Sequence, residues 1–108
     1  MTLIVKEGRV IDFEGGASAR RFREILESLE DEKAFNYAEF GIGLNPCARL
    51  GATDLEDLGH LGNCHAGIGG NFAIGGRILA PNHHDAMYKH ATVFFDGKVL
   101  LDKGVCKI

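Results

Sequence analysis

A turn dipeptide between two β-prone runs constrains this chain most: Thr92-Val93-Phe94-Phe95, then Asp96-Gly97-Lys98, then Val99-Leu100-Leu101. Asp-Gly lets two successive residues take positive φ, which matches the twist of a tight antiparallel hairpin. Lys103-Gly104 repeats the signal before a last short strand, Val105-Cys106-Lys107. At the other end, Leu3-Ile4-Val5 and Arg9-Val10-Ile11-Asp12-Phe13 flank Lys6-Glu7-Gly8, a second hairpin. Both ends of the chain are therefore committed to antiparallel pairing.

Between the hairpins lies one amphipathic segment. Phe22, Ile25, Leu26 and Leu29 recur at i, i+3, i+4 and i+7, with Arg20, Arg21, Arg23, Glu24 and Glu27 on the other face. Ser18 is the expected N-cap, and the helix is predicted over 18–33. Residues 36–43 read as a strand closed by Asn45-Pro46, because the residue before proline is pushed out of the helical region. Leu55-Glu56-Asp57-Leu58 reads as one helical turn, residues 63–68 as a strand, 75–82 as loop, and 83–85 as extended. The fold class this implies is α+β: an antiparallel-rich sheet with β-hairpins at both ends and one principal amphipathic helix packed on it. A chain of 108 residues fits one domain, here expected to span 1–108.

Composition excludes several functions. A net charge of −3 with no block of lysine or arginine argues against a nucleic-acid surface. No apolar run approaches the ~20 residues that span a bilayer, and the first residues lack a signal-peptide pattern. Three cysteines, Cys47, Cys64 and Cys106, are an odd number without CxxC spacing, so free thiols in a reducing cytoplasm are expected. The glycine-rich stretches Gly67-Ile68-Gly69-Gly70 and Gly75-Gly76-Arg77 lack the lysine-serine/threonine ending of a phosphate loop. Cys64 and His65 would face opposite ways in a strand, against a Cys/His nucleophile pair. No Gly-x-Ser-x-Gly elbow is present, and Glu56-Asp57 reads as a charge pair at a helix start.

Metal-type donors remain. In His83-His84-Asp85 an extended backbone points His83 and Asp85 to one face and His84 to the other. Imidazole and carboxylate together suit zinc, manganese or ferrous iron. A plain His–Asp hydrogen bond is the alternative for this pair. Glu39, in the predicted strand, reads either as an exposed strand residue or as a ligand, and His65 either as a structural histidine or as a ligand. His60, His84 and His90 are expected to face solvent. No catalytic residue is singled out.

The order of these stretches carries a resemblance. Ala38-Glu39-Phe40-Gly41-Ile42-Gly43-Leu44-Asn45-Pro46 is followed by Leu61-Gly62-Asn63-Cys64-His65, then His83-x-Asp85, then Asp96-Gly97. This series, across nearly the whole chain, resembles the C-terminal part of the M29 metallo-aminopeptidases, the aminopeptidase T group. The resemblance implies Glu39, His65, His83 and Asp85 as ligands of a two-metal hydrolase site holding zinc, manganese, cobalt or iron(II). Phe72 stands where that family has a tyrosine, and the family's upstream domain, which supplies a further glutamate, is not in this sequence. The expectation is a metal-binding domain without full peptidase activity alone. Its expected partners are a small peptide or small-molecule substrate and either a second copy of the chain, as a dimer, or a partner chain supplying the missing half. The resemblance extends to a ring-cleaving dioxygenase of dihydroxypyridine in the same superfamily, for which His65, His83 and Asp85 would be a ferrous-iron triad. A non-catalytic domain that binds a ligand or protein is the third reading.

Overall fold

The computed structural model describes residues 1–108. The elements run β1 (Thr2–Lys6), β2 (Arg9–Glu14), α1 (Gly16–Glu27), a 3-10 turn (Glu32–Phe35), β3 (Tyr37–Ile42), α2 (Asp54–Gly59), β4 (Cys64–Gly69), a second 3-10 turn (Phe72–Ile74), β5 (His83–Tyr88), β6 (Val93–Phe95), β7 (Lys98–Asp102) and β8 (Val105–Cys106). The strands form three small sheets, β1-β2, β3-β4-β5 and β6-β7-β8. The α+β class, the two terminal hairpins and the single principal helix are as the sequence predicts.

The turns show why. Glu7-Gly8, Asp96-Gly97 and Lys103-Gly104 all place both residues at positive φ, 51° and 74°, 48° and 78°, 47° and 84°. Those are the angles that let two-residue loops close antiparallel pairs. β1 pairs with β2 from Thr2↔Glu14 to Lys6↔Arg9, with a bulge between Ile4 and Val5. In the middle sheet, Gly69 N donates to Asn36 O and Gly43 N donates to Asn63 O. The numbers fall on one strand as they rise on the other, so β3 and β4 run antiparallel.

The helix is shorter than its periodicity suggests and starts earlier. It begins at Gly16, behind Gly15 in the left-handed region, and Ser18 lies inside it and does not cap it. It ends because Glu30 takes φ 51°, and because the Asp31 carboxylate accepts from Lys33 N at 2.9 Å and starts the first 3-10 turn. A local side-chain acceptor has outcompeted the helical backbone.

The chain divides into two compact units, Met1–Glu39 with Gly67–Asp85, and Phe40–Ala66 with Ala86–Ile108. The first is built on Val10, Leu26 and Ile68, with Leu3, Phe13, Phe22, Leu29, Phe35 and Tyr37 packed around them. Leu26 is fully buried, and Phe22, Ile25 and Leu29 are half-buried. Phe13 meets Phe22 and Phe35 edge-on at 5.7 and 6.2 Å between ring centres. The second unit is built on Cys64, Ala91, Val93 and Leu101, with Ile42, Leu100 and Cys106 against them. No helix is long and apolar enough to cross a membrane.

Candidate metal centre

β5 alternates as a strand must. His83 and Asp85 share the outward face, while His84 turns inward. His84 is half-buried, meets Phe22 edge-on at 5.5 Å, and its Nδ1 accepts from the Asn82 side-chain amide at 3.1 Å. The expectation that it faces solvent is corrected: on a strand that buries one face, the residue between two outward donors must point into the core. His60 is likewise half-buried, bridging Asn45 through the backbone with its Nδ1 enclosed, whereas His90 is exposed.

Glu39 reaches the same place from β3. One donor atom from each of Glu39, His83 and Asp85 lies within 4.8 Å of the other two. What permits this is Gly67 on β4. A Cβ there would sit 2.6 Å from Glu39 Cγ and 2.9 Å from His83 Cε1, closer than atoms tolerate. Gly67 is buried, so the absence of a side chain forms the floor of the site. Sequence reading noticed the glycine-rich stretch but had no means of seeing which glycine sits under the donors.

The hydrogen bonds fix the chemistry of His83. The Gly70 carbonyl, which can only accept, lies 2.6 Å from His83 Nδ1, so Nδ1 carries a proton. Nε2 then faces Asp85 Oδ1 at 3.2 Å and Glu39 Oε1 at 3.7 Å. A lone pair opposed to two carboxylates is unfavourable unless something positive lies among them: a second proton on the ring, or a cation. The His83 pKa is accordingly raised, first by the Gly70 hydrogen bond and then by the charges of Asp85 and Glu39, with partial burial opposing. Side-chain exposures of 37, 35 and 20% for His83, Asp85 and Glu39 leave the group open to a small ion. One imidazole and two carboxylates are a borderline-to-hard donor set that suits zinc, manganese or ferrous iron, and the carbonyl behind Nδ1 is the usual way a ligating histidine is oriented.

A cavity of about 380 Å³ opens beside this group. Glu39 and His83 line one end, and Phe72, Ile74, Ile78, Leu79 and Pro81 supply apolar walls. An apolar hollow with a few converging polar groups is the usual form of a small-molecule site.

His65 belongs to the second unit, whereas Glu39, His83 and Asp85 all belong to the first. His65 lies on β4 with its ring against Gly41, where a Cβ would come within 2.1 Å of His65 Cε1. Strand alternation could not have revealed this, because it depends on which residue the neighbouring strand places opposite. Cys64 is buried, and burial pushes its thiol pKa up, the reverse of what an activated nucleophile needs.

The sequence profile of the 2,5-dihydroxypyridine 5,6-dioxygenase (NicX) family matches residues 1–107. The chain belongs to that family. A curated NicX-family relative, the 2,5-dihydroxypyridine 5,6-dioxygenase of Pseudomonas putida, is 25% identical over 113 residues, covering 96% of this chain and 32% of the relative. The solved structure of the Pseudomonas putida dihydroxypyridine dioxygenase superposes with a TM-score of 0.79 at 23% identity, over 98% of this chain and 33% of that one. The chain thus spans about a third of the length of the NicX relatives it matches.

These likenesses correct the resemblance to the aminopeptidase T group and, with it, the hydrolase, aminopeptidase and metalloprotease readings. The matched proteins are dioxygenases, which are oxidoreductases. The reason lies in the donors that carried the resemblance. Glutamate, histidine and H-x-D bind zinc, manganese and ferrous iron alike, so the motifs signal a kind of donor set and leave the reaction undetermined.

Proposed function

We propose that this chain supplies the metal-holding face and one pocket wall of a single-metal, ring-cleaving oxygenase site of the NicX type. The observation that carries the reading is His83 Nε2 opposed to the Asp85 and Glu39 oxygens at 3.2 and 3.7 Å. Two carboxylates and a neutral imidazole balance the charge of one dication, and the Gly67 floor leaves room for it. Ferrous iron held there would supply the single-electron chemistry that dioxygen needs to attack a closed-shell aromatic ring.

The residues do the rest. Gly70 O holds the His83 ring in the tautomer that presents Nε2. Glu39 touches both the donor group and the cavity, so it brackets the end of the pocket where a substrate hydroxyl would lie. The apolar walls offer surface for the faces of a small flat ring. By analogy with the relative's name, the substrate is a small hydroxylated aromatic such as 2,5-dihydroxypyridine. Self-association belongs to the same proposal, because a second copy could complete the cleft. Sedimentation that gives a monomer at high micromolar concentration would contradict that part.

The test is to load the protein with iron(II) under argon, add 2,5-dihydroxypyridine in aerated buffer, and follow oxygen uptake with loss of ring absorbance. The reading expects the two to proceed one for one, and to vanish in Asp85→Ala. Iron bound at the site without oxygen uptake would leave a binding domain and remove the oxygenase.

A further inference from the structure

The cavity wall has no regular structure beyond one 3-10 turn, yet one residue, Asn71, gathers five hydrogen bonds across it. Asn71 N donates to Ile78 O at 3.0 Å, and Asn71 O accepts from Ile74 N at 3.2 Å and Gly76 N at 2.9 Å. Its side chain adds two more bonds. Oδ1 accepts from Ile78 N at 3.0 Å, and Nδ2 donates to Ala38 O at 3.4 Å, on the strand residue next to Glu39. Gly76 packs so closely that a Cβ there would lie 2.1 Å from Asn71 Oδ1. The carboxamide therefore joins both ends of the wall to each other and to the strand that carries a metal-type donor.

We infer that Asn71 is the positioning residue of the pocket: it holds the wall of residues 72–81 against β3 and so sets which ring the pocket admits. The first half stands on the hydrogen bonds alone; the second rests on the reading of the cavity as the ring-binding site. Other side chains near the donors do not share this role. Asn82 turns its amide to Ala34 O, Ile68 O and His84, and makes no side-chain bond to residues 72–81.

Arg77, exposed in the middle of the wall, provides a direct reporter. Trypsin cuts only when the segment opens, so the cutting rate follows the open population. In Asn71→Ala, cleavage of the apoprotein after Arg77 should rise about tenfold, as expected for loss of two side-chain hydrogen bonds. Cleavage after Lys33 and the Tm should stay near wild type. Asn71→Asp keeps the acceptor for Ile78 N and should recover most of the protection. In the iron-loaded protein, KM for 2,5-dihydroxypyridine should rise about tenfold while kcat holds within about twofold, the split expected for lost uniform binding.

Unchanged cleavage at Arg77 would overturn the inference, as would a rise matched at Lys33, which would mean general loosening. A parallel fall in kcat at constant KM would overturn the second half. Absence of turnover in the wild type would remove the function reading and with it the second half, leaving the first to be decided by proteolysis. If Asn71→Ala does not fold, Asn71→Asp decides: protection at Arg77 close to wild type supports the role, and equal loss at Arg77 and Lys33 ends it.

Discussion

The two units are of similar construction and unlike in what they present. Each has a small apolar core with one fully buried leucine, Leu26 in the first and Leu101 in the second. The second unit spends its sequence on a three-stranded meander with tight turns, and its buried polar residue Asn63 bonds to backbone, donating to Asp57 O at 2.8 Å and accepting from His90 N at 3.4 Å. The first unit leaves three titratable side chains half-open over a buried glycine and beside an apolar hollow. Polar groups that fold a protein are satisfied by its backbone. In the first unit the donor atoms of Glu39, His83 and Asp85 converge on one another instead, an arrangement that a bound cation would stabilise.

The largest expected effects test whether the cores are equivalent. Leu26→Ala and Leu101→Ala should each destabilise by about 2–5 kcal/mol in urea titrations, since each removes a fully buried side chain. A value below about 1 kcal/mol for either would break the comparison, because that leucine could not then be holding a core.

Next comes the floor of the site. Gly67→Ala should weaken iron(II) or manganese(II) affinity by about 10- to 100-fold, the range seen when residues that shape a metal site are changed. Calorimetric titration measures it directly. Unaltered affinity would mean that Glu39 and His83 do not act together.

These two predictions mark what the sequence discloses. The hairpins were legible because Glu7-Gly8, Asp96-Gly97 and Lys103-Gly104 encode their own backbone angles. His83 and Asp85 were legible because a strand has period two. Glu39 was reachable only through a motif, whose resemblance led first to the aminopeptidases, which the NicX-family likenesses overturn, and second to the dihydroxypyridine dioxygenase, which they favour. The contacts of Gly67, Asn71 and His84 were illegible because each depends on a residue distant in sequence.

Proton competition gives the third effect. The Gly70 hydrogen bond, Asp85 and Glu39 raise the His83 pKa, so a proton rather than a metal occupies Nε2 over a wider range than for a free histidine. Below that raised pKa, metal affinity should fall by up to about tenfold per pH unit, as one proton must leave for each ion bound. In the metal-free protein the sign reverses. The stabilisation from protonated His83 is fully present below the unfolded pKa and is lost as pH rises through the folded one. Metal affinity independent of pH between 5 and 8 would exclude Nε2 as a donor.

The smallest effect belongs to the second unit. Thr53 Oγ1 accepts from Glu56 N at 3.1 Å and caps α2. Thr53→Ala should cost about 1 kcal/mol of stability. It should leave metal affinity unchanged; a loss would show that the donor group depends on more than the first unit.

The central claim is that Glu39, His83 and Asp85 together hold one divalent cation. Anaerobic calorimetry with iron(II) on the wild type and on His83→Ala tests it most directly. The account predicts one ion per chain for the wild type and loss of about 100-fold or more in affinity for the variant, whose fold should persist because the side chain is more than a third exposed. Equal binding by the two proteins, or none by the wild type, would contradict it.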